Sequence, residues 1–149
     1  MNKLTEAKKQ KYMSMALHFA NEFSKDKSTK VGCIFLDPNT LFILTSSYNG
    51  LPFNIEELDQ RWERPTKYKY VCHAEMNAVC AAARNGTCLS GCIAVITLFP
   101  CSTCTKMLIQ AGISAIITKE PDFLNDRWGD DFKVSYEMLA EAGIHVSYI

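Results

Sequence analysis

Apolar and polar residues recur along the chain with two different periods. Over residues 4–23, apolar side chains return at steps of three and four, which predicts an amphipathic helix packed on a sheet. Residues 31–36 and 41–47 are instead short runs typical of β-strands. The turn-forming sequence DPNT separates these two runs, so they predict a β-hairpin.

The second half of the chain predicts helices and strands in alternation. The predicted elements are helices 73–85, 101–111 and 134–142 and strands 92–98, 113–118 and 144–149. A glycine follows each of the three helices, as is typical just past a helix C-terminus. Strand, helix, strand in this order favours parallel neighbours joined by right-handed crossovers. We therefore predict an α/β fold, with one three-layer α/β/α domain over residues 1–149 and a central mixed five-stranded sheet.

The connections between these elements carry polar and aromatic residues. Residues 24–30 hold three lysines beside serine and threonine hydroxyls, which suits either a solvated turn or a grip on one phosphate group. Residues 48–52, with the sequence YNGLP, predict an abrupt turn. Residues 120–131 are expected to form an irregular acidic loop.

The long connection over residues 53–71 is typical of a lid or a binding loop, and one helical turn is predicted within it at 55–61. Three of its aromatic residues could stack on a nucleobase. The alternative is that they pack in the core or in a subunit contact. These residues are Trp62, Tyr68 and Tyr70.

Composition narrows the classes of function. The chain has 149 residues, 48% of them hydrophobic, which suffices for one sizeable core. Sixteen basic and sixteen acidic residues give zero formal charge, so we expect a small-molecule substrate and no nucleic-acid polymer. The longest apolar run is too short to cross a bilayer and residues 1–10 contain no apolar leader, so we expect a cytoplasmic protein without membrane contact.

Seven cysteines in a reducing compartment indicate free thiols and metal ligands, not disulfides. Cys101 and Cys104 are three residues apart after Pro100, so both sulfur atoms are expected on one side of a first helical turn. Such a position favours thiolate over thiol. The other cysteines are predicted to be small buried apolar residues. These are Cys33, Cys72, Cys80, Cys88 and Cys92.

His73 begins the other helix, so two helix starts would present one imidazole and two thiolates to a common point. Two sulfurs and one nitrogen select Zn²⁺ over Mg²⁺ or Ca²⁺. Three protein ligands leave the fourth position of a tetrahedral ion for water, whose pKa zinc lowers to roughly 7. Glu75 lies two residues after His73 and is the predicted catalytic residue, because its carboxylate can face that water and move its proton.

Two other interpretations of the Cys-x-x-Cys sequence remain open. It could be a redox pair or part of a structural zinc site. A structural site would need a fourth protein ligand, which His18, His145 or another cysteine would have to supply. Neither interpretation gives Glu75 a function.

The combination of His-x-Glu with a later Pro-Cys-x-x-Cys is the signature of zinc-dependent nucleobase deaminases. From about residue 24 to the C-terminus, the chain resembles the deoxycytidylate (dCMP) deaminase branch of the cytidine deaminase superfamily. The matching segments are VG (31–32), YNGLP (48–52), YVCHAEMNA (70–78), LFPCSTC (98–104) and IQAGI (109–113).

The resemblance implies hydrolysis of dCMP to dUMP and ammonia, a step that supplies thymidylate synthesis. It implies one zinc ion held by His73, Cys101 and Cys104, with Glu75 as the proton shuttle. It also implies that Asn49 contacts the deoxyribose. The remaining substrate-binding residues expected from it are Ser24, Lys25, Lys27 and Ala74.

The resemblance further implies a homo-oligomer, a hexamer, activated by dCTP and inhibited by dTTP, with Mg²⁺ accompanying the triphosphate. The expected effector-binding residues are Tyr48, Asn49, Gly50 and Arg84. Ser47 stands where the family's effector motif begins with glycine. Deamination of cytidine or dCTP and a non-catalytic zinc-scaffolded binding module are the alternatives.

Overall fold

The computed structural model describes residues 4–149, so the first three residues of the predicted domain lie outside it. Helix α1 runs from Glu6 to Phe23 and begins where the Thr5 side chain accepts a hydrogen bond from the backbone N–H of Lys8. Its buried side is formed by small and flexible residues, among them Met13 and Ala16. The predicted amphipathic helix is confirmed.

A mixed sheet of five strands forms the centre of the molecule, as predicted. The strands are β1 (Gly32–Leu36), β2 (Ile43–Tyr48), β3 (Ile93–Ile96), β4 (Ala115–Thr118) and β5 (His145–Tyr148). Their order across the sheet is β2-β1-β3-β4-β5. β1 is antiparallel to both of its neighbours, whereas β3, β4 and β5 run parallel. The parallel half follows from the strand–helix–strand order of the sequence.

Side chains alternate between the two faces of the sheet and build two separate cores. Ile34 and Leu36 pack under α1 on one face, whereas Cys33 and Phe35 point to the opposite face. On that opposite face lie helices α3 (Ala74–Arg84), α4 (Ser102–Gln110) and α5 (Gly129–Glu141), and a single turn, α2 (Lys67–Tyr70), precedes them. The predicted three-layer α/β/α arrangement is therefore confirmed.

Gly32, at the start of β1, lets α1 approach the sheet unusually closely. A Cβ atom at this position would lie 2.0 Å from the carbonyl oxygen of Ala16, a separation that no side chain permits. Both residues are buried. The absence of a side chain at residue 32 thus fixes how closely the helix packs on the strand.

Two predicted boundaries are wrong. Helix α5 begins at Gly129, five residues before its predicted start, so residues 129–131 are helical and not part of an irregular acidic loop. The side-chain oxygen of Asn125 accepts hydrogen bonds from the backbone N–H groups of Arg127 and Trp128 just ahead of the helix. The first turn also packs closely on the preceding loop, since a Cβ atom on Gly129 would meet the carbonyl oxygen of Phe123 at 2.4 Å. In the long connection, a 3₁₀ turn occupies Asp59–Trp62 in place of the helical turn predicted at 55–61.

Cys33 and Cys92 are buried as predicted, and Cys72 is half-buried. The prediction is wrong for Cys80 and Cys88, which are exposed because one lies on the outer side of α3 and the other in the connection after it. Within residues 4–149, none of the helices has the length and apolar character needed to span a bilayer.

Candidate active site

Two helix N-termini meet on the face of the sheet opposite α1. His73 is the residue immediately before α3, and Cys101 is the residue immediately before α4. Both therefore sit in the capping position with extended backbone, one residue outside the helices in which the sequence had placed them. Cys104 is the third residue of α4. This arrangement directs one imidazole and two sulfur atoms to a common point.

The separations among these three side chains match a zinc site. The Nδ1 atom of His73 lies 3.5 Å from the sulfur of Cys101 and 3.4 Å from that of Cys104, and all three atoms fall within 4.8 Å of one another. Ordinary Zn–S and Zn–N bond lengths at tetrahedral angles separate nitrogen from sulfur by about 3.6 Å. Among residues 4–149, no fourth His, Cys, Asp or Glu joins this group. The predicted alternatives for a fourth ligand, His18 and His145, are exposed elsewhere.

Hydrogen bonds among the three ligand side chains shift their pKa values. A hydrogen bond with Cys104 lowers the pKa of Cys101 to about 4, and the same hydrogen bond raises the pKa of Cys104. Hydrogen bonding to Cys101 also raises the pKa of His73. A divalent cation can take the place of these protons, because thiolate and neutral imidazole are the forms that bind metal.

Glu75 lies in the first turn of α3, two residues after His73. It is buried, with 4% of its surface exposed. Burial raises its pKa to about 7. A carboxyl group with such a pKa is suited to exchange protons near neutrality, as a general acid–base residue must. Its place in the first turn of α3 fixes it beside His73.

A carboxylate from α5 holds the start of α4 in place. Asp131 accepts a hydrogen bond from the backbone N–H of Ser102 at 2.7 Å and another from its hydroxyl at 2.6 Å. These two bonds satisfy a free donor at the helix N-terminus and link it to a separate helix. Because Ser102 follows Cys101 directly, Asp131 positions the turn that carries both cysteines.

His73, Cys101 and Glu75 line a cleft of about 100 Å³ and form what we call its inner end. Aromatic rings form much of one wall: Trp128 meets His73 edge-on at 6.4 Å and stacks on Phe132, which in turn meets Phe99. The long connection forms part of the wall through Tyr68 and its neighbours, and Val31, Val71 and Leu98 add apolar surface. A flat, mainly apolar wall of this kind suits a planar ring.

The structure brings two of the predicted substrate-binding residues to this cleft. Ala74 and Asn49 both line it. The Asn49 side chain is already engaged by protein, since its oxygen accepts hydrogen bonds from Ser24 and from the backbone of Val31, and its nitrogen donates to the Thr29 carbonyl. Asn49 thus ties the lysine-containing loop to the end of β2.

The other three predicted residues do not line the cleft. Ser24 is buried, and its hydroxyl donates a hydrogen bond to the side-chain oxygen of Asn49. Lys25 is exposed and pairs with Glu57, and Lys27 lies with it on a separate groove. Their role in substrate binding stays a prediction that this geometry does not support.

The predicted effector residues form a different surface. Tyr48 stacks on Phe23 with ring centroids 5.6 Å apart, and the guanidinium of Arg84 lies 4.9 Å from the ring centre of Phe53. Gly50 exchanges backbone hydrogen bonds with Cys72. Apart from Asn49, none of the predicted effector residues lines the cleft. Their effector role stays a prediction.

Ser47, the departure from the family's effector motif, has a structural partner. Its hydroxyl donates a hydrogen bond to the carbonyl of Ala74, at the beginning of α3. The substitution therefore adds a contact between β2 and the helix that carries Glu75.

Sequence reasoning missed most of the outer cleft. Arg64, Lys67 and Arg127 bring the cationic groups that line it, and Trp128 is the ring against His73. The only signal available was that Arg127 and Trp128 interrupt an acidic stretch and that the 53–71 connection is long. Neither signal indicates which side chains point to the cleft.

Comparisons with known proteins agree with this geometry. The family model described as the cytidine and deoxycytidylate deaminase zinc-binding region matches residues 6–120. An uncharacterized deaminase of Aliivibrio fischeri is 36% identical over 141 residues, which cover 93% of this chain and 91% of that protein. The deoxycytidylate deaminase of Homo sapiens is 38% identical over 126 residues, covering 80% of this chain and 65% of that enzyme. This chain thus spans less than two thirds of the human enzyme's length.

A solved structure shows the same fold over nearly the whole chain. The dCMP deaminase from the cyanophage S-TIM5, in complex with dCMP and dUMP, superimposes with a TM-score of 0.78 at 26% identity, covering 99% of this chain and 100% of that one. The family model spans both helix starts that build the His-Cys-Cys cluster, and the fold follows the same architecture. The chain therefore belongs to the cytidine and deoxycytidylate deaminase family.

Proposed function

We propose that the protein hydrolyses dCMP to dUMP and ammonia with one zinc ion as its cofactor. The observation that carries this proposal is the buried carboxyl group of Glu75, which lines the cleft together with two members, His73 and Cys101, of a cluster of three zinc-compatible ligands. A structural zinc site has no need for such a group, whereas a hydrolytic deaminase requires one.

His73, Cys101 and Cys104 would hold the zinc ion, which would supply Lewis-acid stabilisation and an activated water. Glu75 accepts one proton from the attacking water and passes it to N3 of the cytosine; it then takes the second proton, from the hydroxyl group now on C4, and passes it to the departing amine. Its raised pKa of about 7 makes both transfers feasible near neutral pH. Trp128 and Phe99, which line the cleft, help to keep bulk water away from the reacting ring.

The choice of dCMP rests on relatives. The human relative is a deoxycytidylate deaminase, and the cyanophage relative was solved with dCMP and dUMP. We infer the same substrate here, and with it a role in making the deoxyuridylate that thymidylate synthesis consumes. We also infer a cytoplasmic location, which seven free cysteines favour, and no nucleic-acid polymer as partner.

We further propose a hexamer activated by dCTP and inhibited by dTTP, with Mg²⁺ bound to the triphosphate. The candidate effector surface is formed by Tyr48, Gly50 and Arg84, together with exposed Phe23 and Phe53. Support comes from the family resemblance and from the exposure of these apolar rings, which a second subunit would cover.

A deaminase of cytidine or dCTP would use the same inner cluster, so substrate preference must be measured. Ammonia release with dCMP, dCTP, deoxycytidine and cytidine in parallel, with and without dTTP, provides the test. We expect dCMP to be turned over far more efficiently than deoxycytidine, and dTTP to reduce the rate. Equal rates with both would assign a nucleoside deaminase, and no turnover of any of the four would leave a zinc-scaffolded binding module as the better description.

A further inference from the structure

The cleft carries an excess of positive charge although the whole protein has none. Apart from the metal ligands and Glu75, the acidic and basic side chains that line it are those of Asp26, Arg64, Lys67 and Arg127. The full chain has sixteen residues of each sign. The fold therefore brings more positive than negative side chains to the cleft, although the numbers are equal over the whole chain.

Lys67 does not contribute to this excess, because Asp26 neutralises it. The two side chains form an ion pair at 2.7 Å with only 7% and 3% of their surfaces exposed. Lys67 also donates to the hydroxyl of Ser28 at 2.7 Å, and the backbone N–H groups of Ser28 and Thr29 donate to Asp26. Two of the three donors of this lysine are thus bound to protein and its charge is matched by Asp26, which leaves it little capacity to bind a ligand.

Arg64 and Arg127 differ from Lys67 in both respects. Both are exposed residues that line the cleft, and we call this exposed side its outer end; Arg127 also lines an adjoining groove with His73, Cys101 and Cys104. Across residues 4–149, neither forms an ion pair with a carboxylate. They come from two separate connections, one before α3 and one before α5, that converge on the same cleft.

We infer that Arg64 and Arg127 bind the 5′-phosphate of the substrate and set the preference for a nucleotide over a nucleoside. The inference deepens the proposed function and rests on it. A phosphate monoester carries close to two negative charges at neutral pH, which the two unpaired guanidinium groups match. Guanidinium is suited to this role because its planar set of donors binds phosphate oxygens in pairs. Glu75 is buried whereas both arginines are exposed on the same cleft, so a nucleotide whose ring lies against Glu75 can extend its phosphate toward them.

The test compares two non-reacting ligands, dUMP and deoxyuridine, which differ only in the phosphate. Calorimetric titration of the zinc-loaded protein should show tighter binding of dUMP. Arg64→Gln and Arg127→Gln should each raise the Kd for dUMP roughly 10- to 100-fold, the range for losing a charge-assisted hydrogen-bonded contact. Arg64→Lys and Arg127→Lys should recover part of the loss, since they keep the charge but not the planar donor pair.

Two control variants test whether any loss of dUMP affinity is specific to the two arginines. Lys119→Gln removes one positive charge from an exposed residue that does not line the cleft, and it should leave the Kd for dUMP within about twofold. The double variant Lys25→Gln/Lys27→Gln tests the loop that the sequence had indicated as the phosphate grip. If the lysine variant loses dUMP affinity while both arginine variants keep it, the inference is overturned.

The result of this binding test can be distinguished from the result of the test of the proposed function, because the binding test does not measure turnover of dCMP. Wild-type protein that binds dUMP and deoxyuridine equally would contradict the inference even if it deaminated dCMP. Conversely, arginine-dependent binding of dUMP without any release of ammonia from dCMP would support the binding site and refute the proposed activity. Zinc content and the thermal unfolding midpoint of each variant confirm that only folded protein is compared.

Discussion

The inner and outer ends of the cleft are built in different ways. At the inner end, His73, Cys101 and Glu75 sit at two helix starts, largely buried, and a hydrogen-bonded carboxylate from a third helix holds one of these starts. At the outer end, Arg64 and Arg127 are exposed and lie in connections without regular structure.

The difference shows how the fold separates chemistry from recognition. Rigid helix starts fix the ligand atoms to within the tolerance that a metal demands. Connections outside the sheet can change without disturbing that geometry, so they are suited to selecting what part of a substrate extends outward. Substitutions at the two ends should therefore have different consequences, and the expected effects can be ranked.

The largest effect is expected when a ligand is removed from the inner end. In Cys104→Ala the cluster retains two ligands, so zinc should be lost and turnover of dCMP with it. Metal analysis of the purified protein and ammonia release measure both. Cys80→Ala, which alters an exposed cysteine of α3, should keep its zinc and its rate. A fully active, zinc-loaded Cys104→Ala protein would contradict the ligand assignment.

Glu75→Gln should separate proton transfer from metal binding. The amide keeps the size of the side chain but cannot accept the proton, so we expect kcat to fall roughly 10²- to 10⁴-fold while zinc stays bound. Glu137→Gln, on the exposed side of α5, is the matched control and should behave as wild type. Normal turnover of dCMP by Glu75→Gln would show that another group moves the proton.

Lys67→Met tests the buried ion pair between the two ends. It leaves Asp26 buried without its partner, so the free energy of unfolding should fall by about 3 to 5 kcal/mol. Urea denaturation at pH 7 measures this loss, and Lys69→Met, at an exposed neighbour, should change little. Addition of Asp26→Asn to Lys67→Met should restore part of the stability, because the lone charge is then removed. A loss of less than 1 kcal/mol in Lys67→Met would indicate that water reaches the pair.

The same pair predicts how stability changes in acid. Burial alone would raise the pKa of Asp26, but hydrogen bonds from Lys67, Ser28 and Thr29 outweigh it and hold the pKa below its ordinary value of 3.8. A group whose pKa is lowered by folding stabilises the protein above its ordinary pKa and loses that contribution as the pH falls through the lowered value. Wild type should therefore lose more stability than the Asp26→Asn/Lys67→Met double variant as the pH falls below 3.8.

Among the single substitutions, the smallest effect is expected for Asp131→Ala, which leaves the three ligands in place. Loss of the two hydrogen bonds to Ser102 should loosen the first turn of α4 and reduce zinc affinity roughly 10- to 100-fold. Competition with a chelator provides the measurement. Asp130→Ala is the matched control, because the neighbouring carboxylate is exposed and pairs only with Lys133. Equal zinc affinity in both variants would remove Asp131 from the positioning role.

The inner end could be predicted from sequence because its determinants are local. A His-x-Glu pair and a Cys-x-x-Cys pair each fix their own geometry at a helix start, and the apolar periods place both helices on one face of a sheet. The hairpin of β1 and β2 and the parallel neighbours β3, β4 and β5 followed from the same periods. The sequence did not specify the antiparallel pairing of β1 with β3, nor that helix α5 begins at Gly129, whose lack of a side chain leaves room for the backbone of Phe123.

The outer end could not be predicted because its residues meet only through tertiary structure. Lys25 and Lys67 are both lysines in polar connections, and nothing local distinguishes the one that is exposed from the one that is buried against Asp26. Arg64 and Arg127 are 63 positions apart in the numbered chain and share no motif. Only the path of the two connections shows that they face the same cleft.

Gly32 has a consequence well beyond its own strand. The end of α1 is joined through Ser24 to the loop that supplies Asp26, so the depth at which the helix settles also sets the position of the cleft wall. A methyl group at residue 32 would overlap the Ala16 carbonyl, so α1 would have to move away from β1, and the loop joined to its end would be disturbed with it. The helix on one face of the sheet and the cleft on the other are thus mechanically linked through a residue that does not line the cleft.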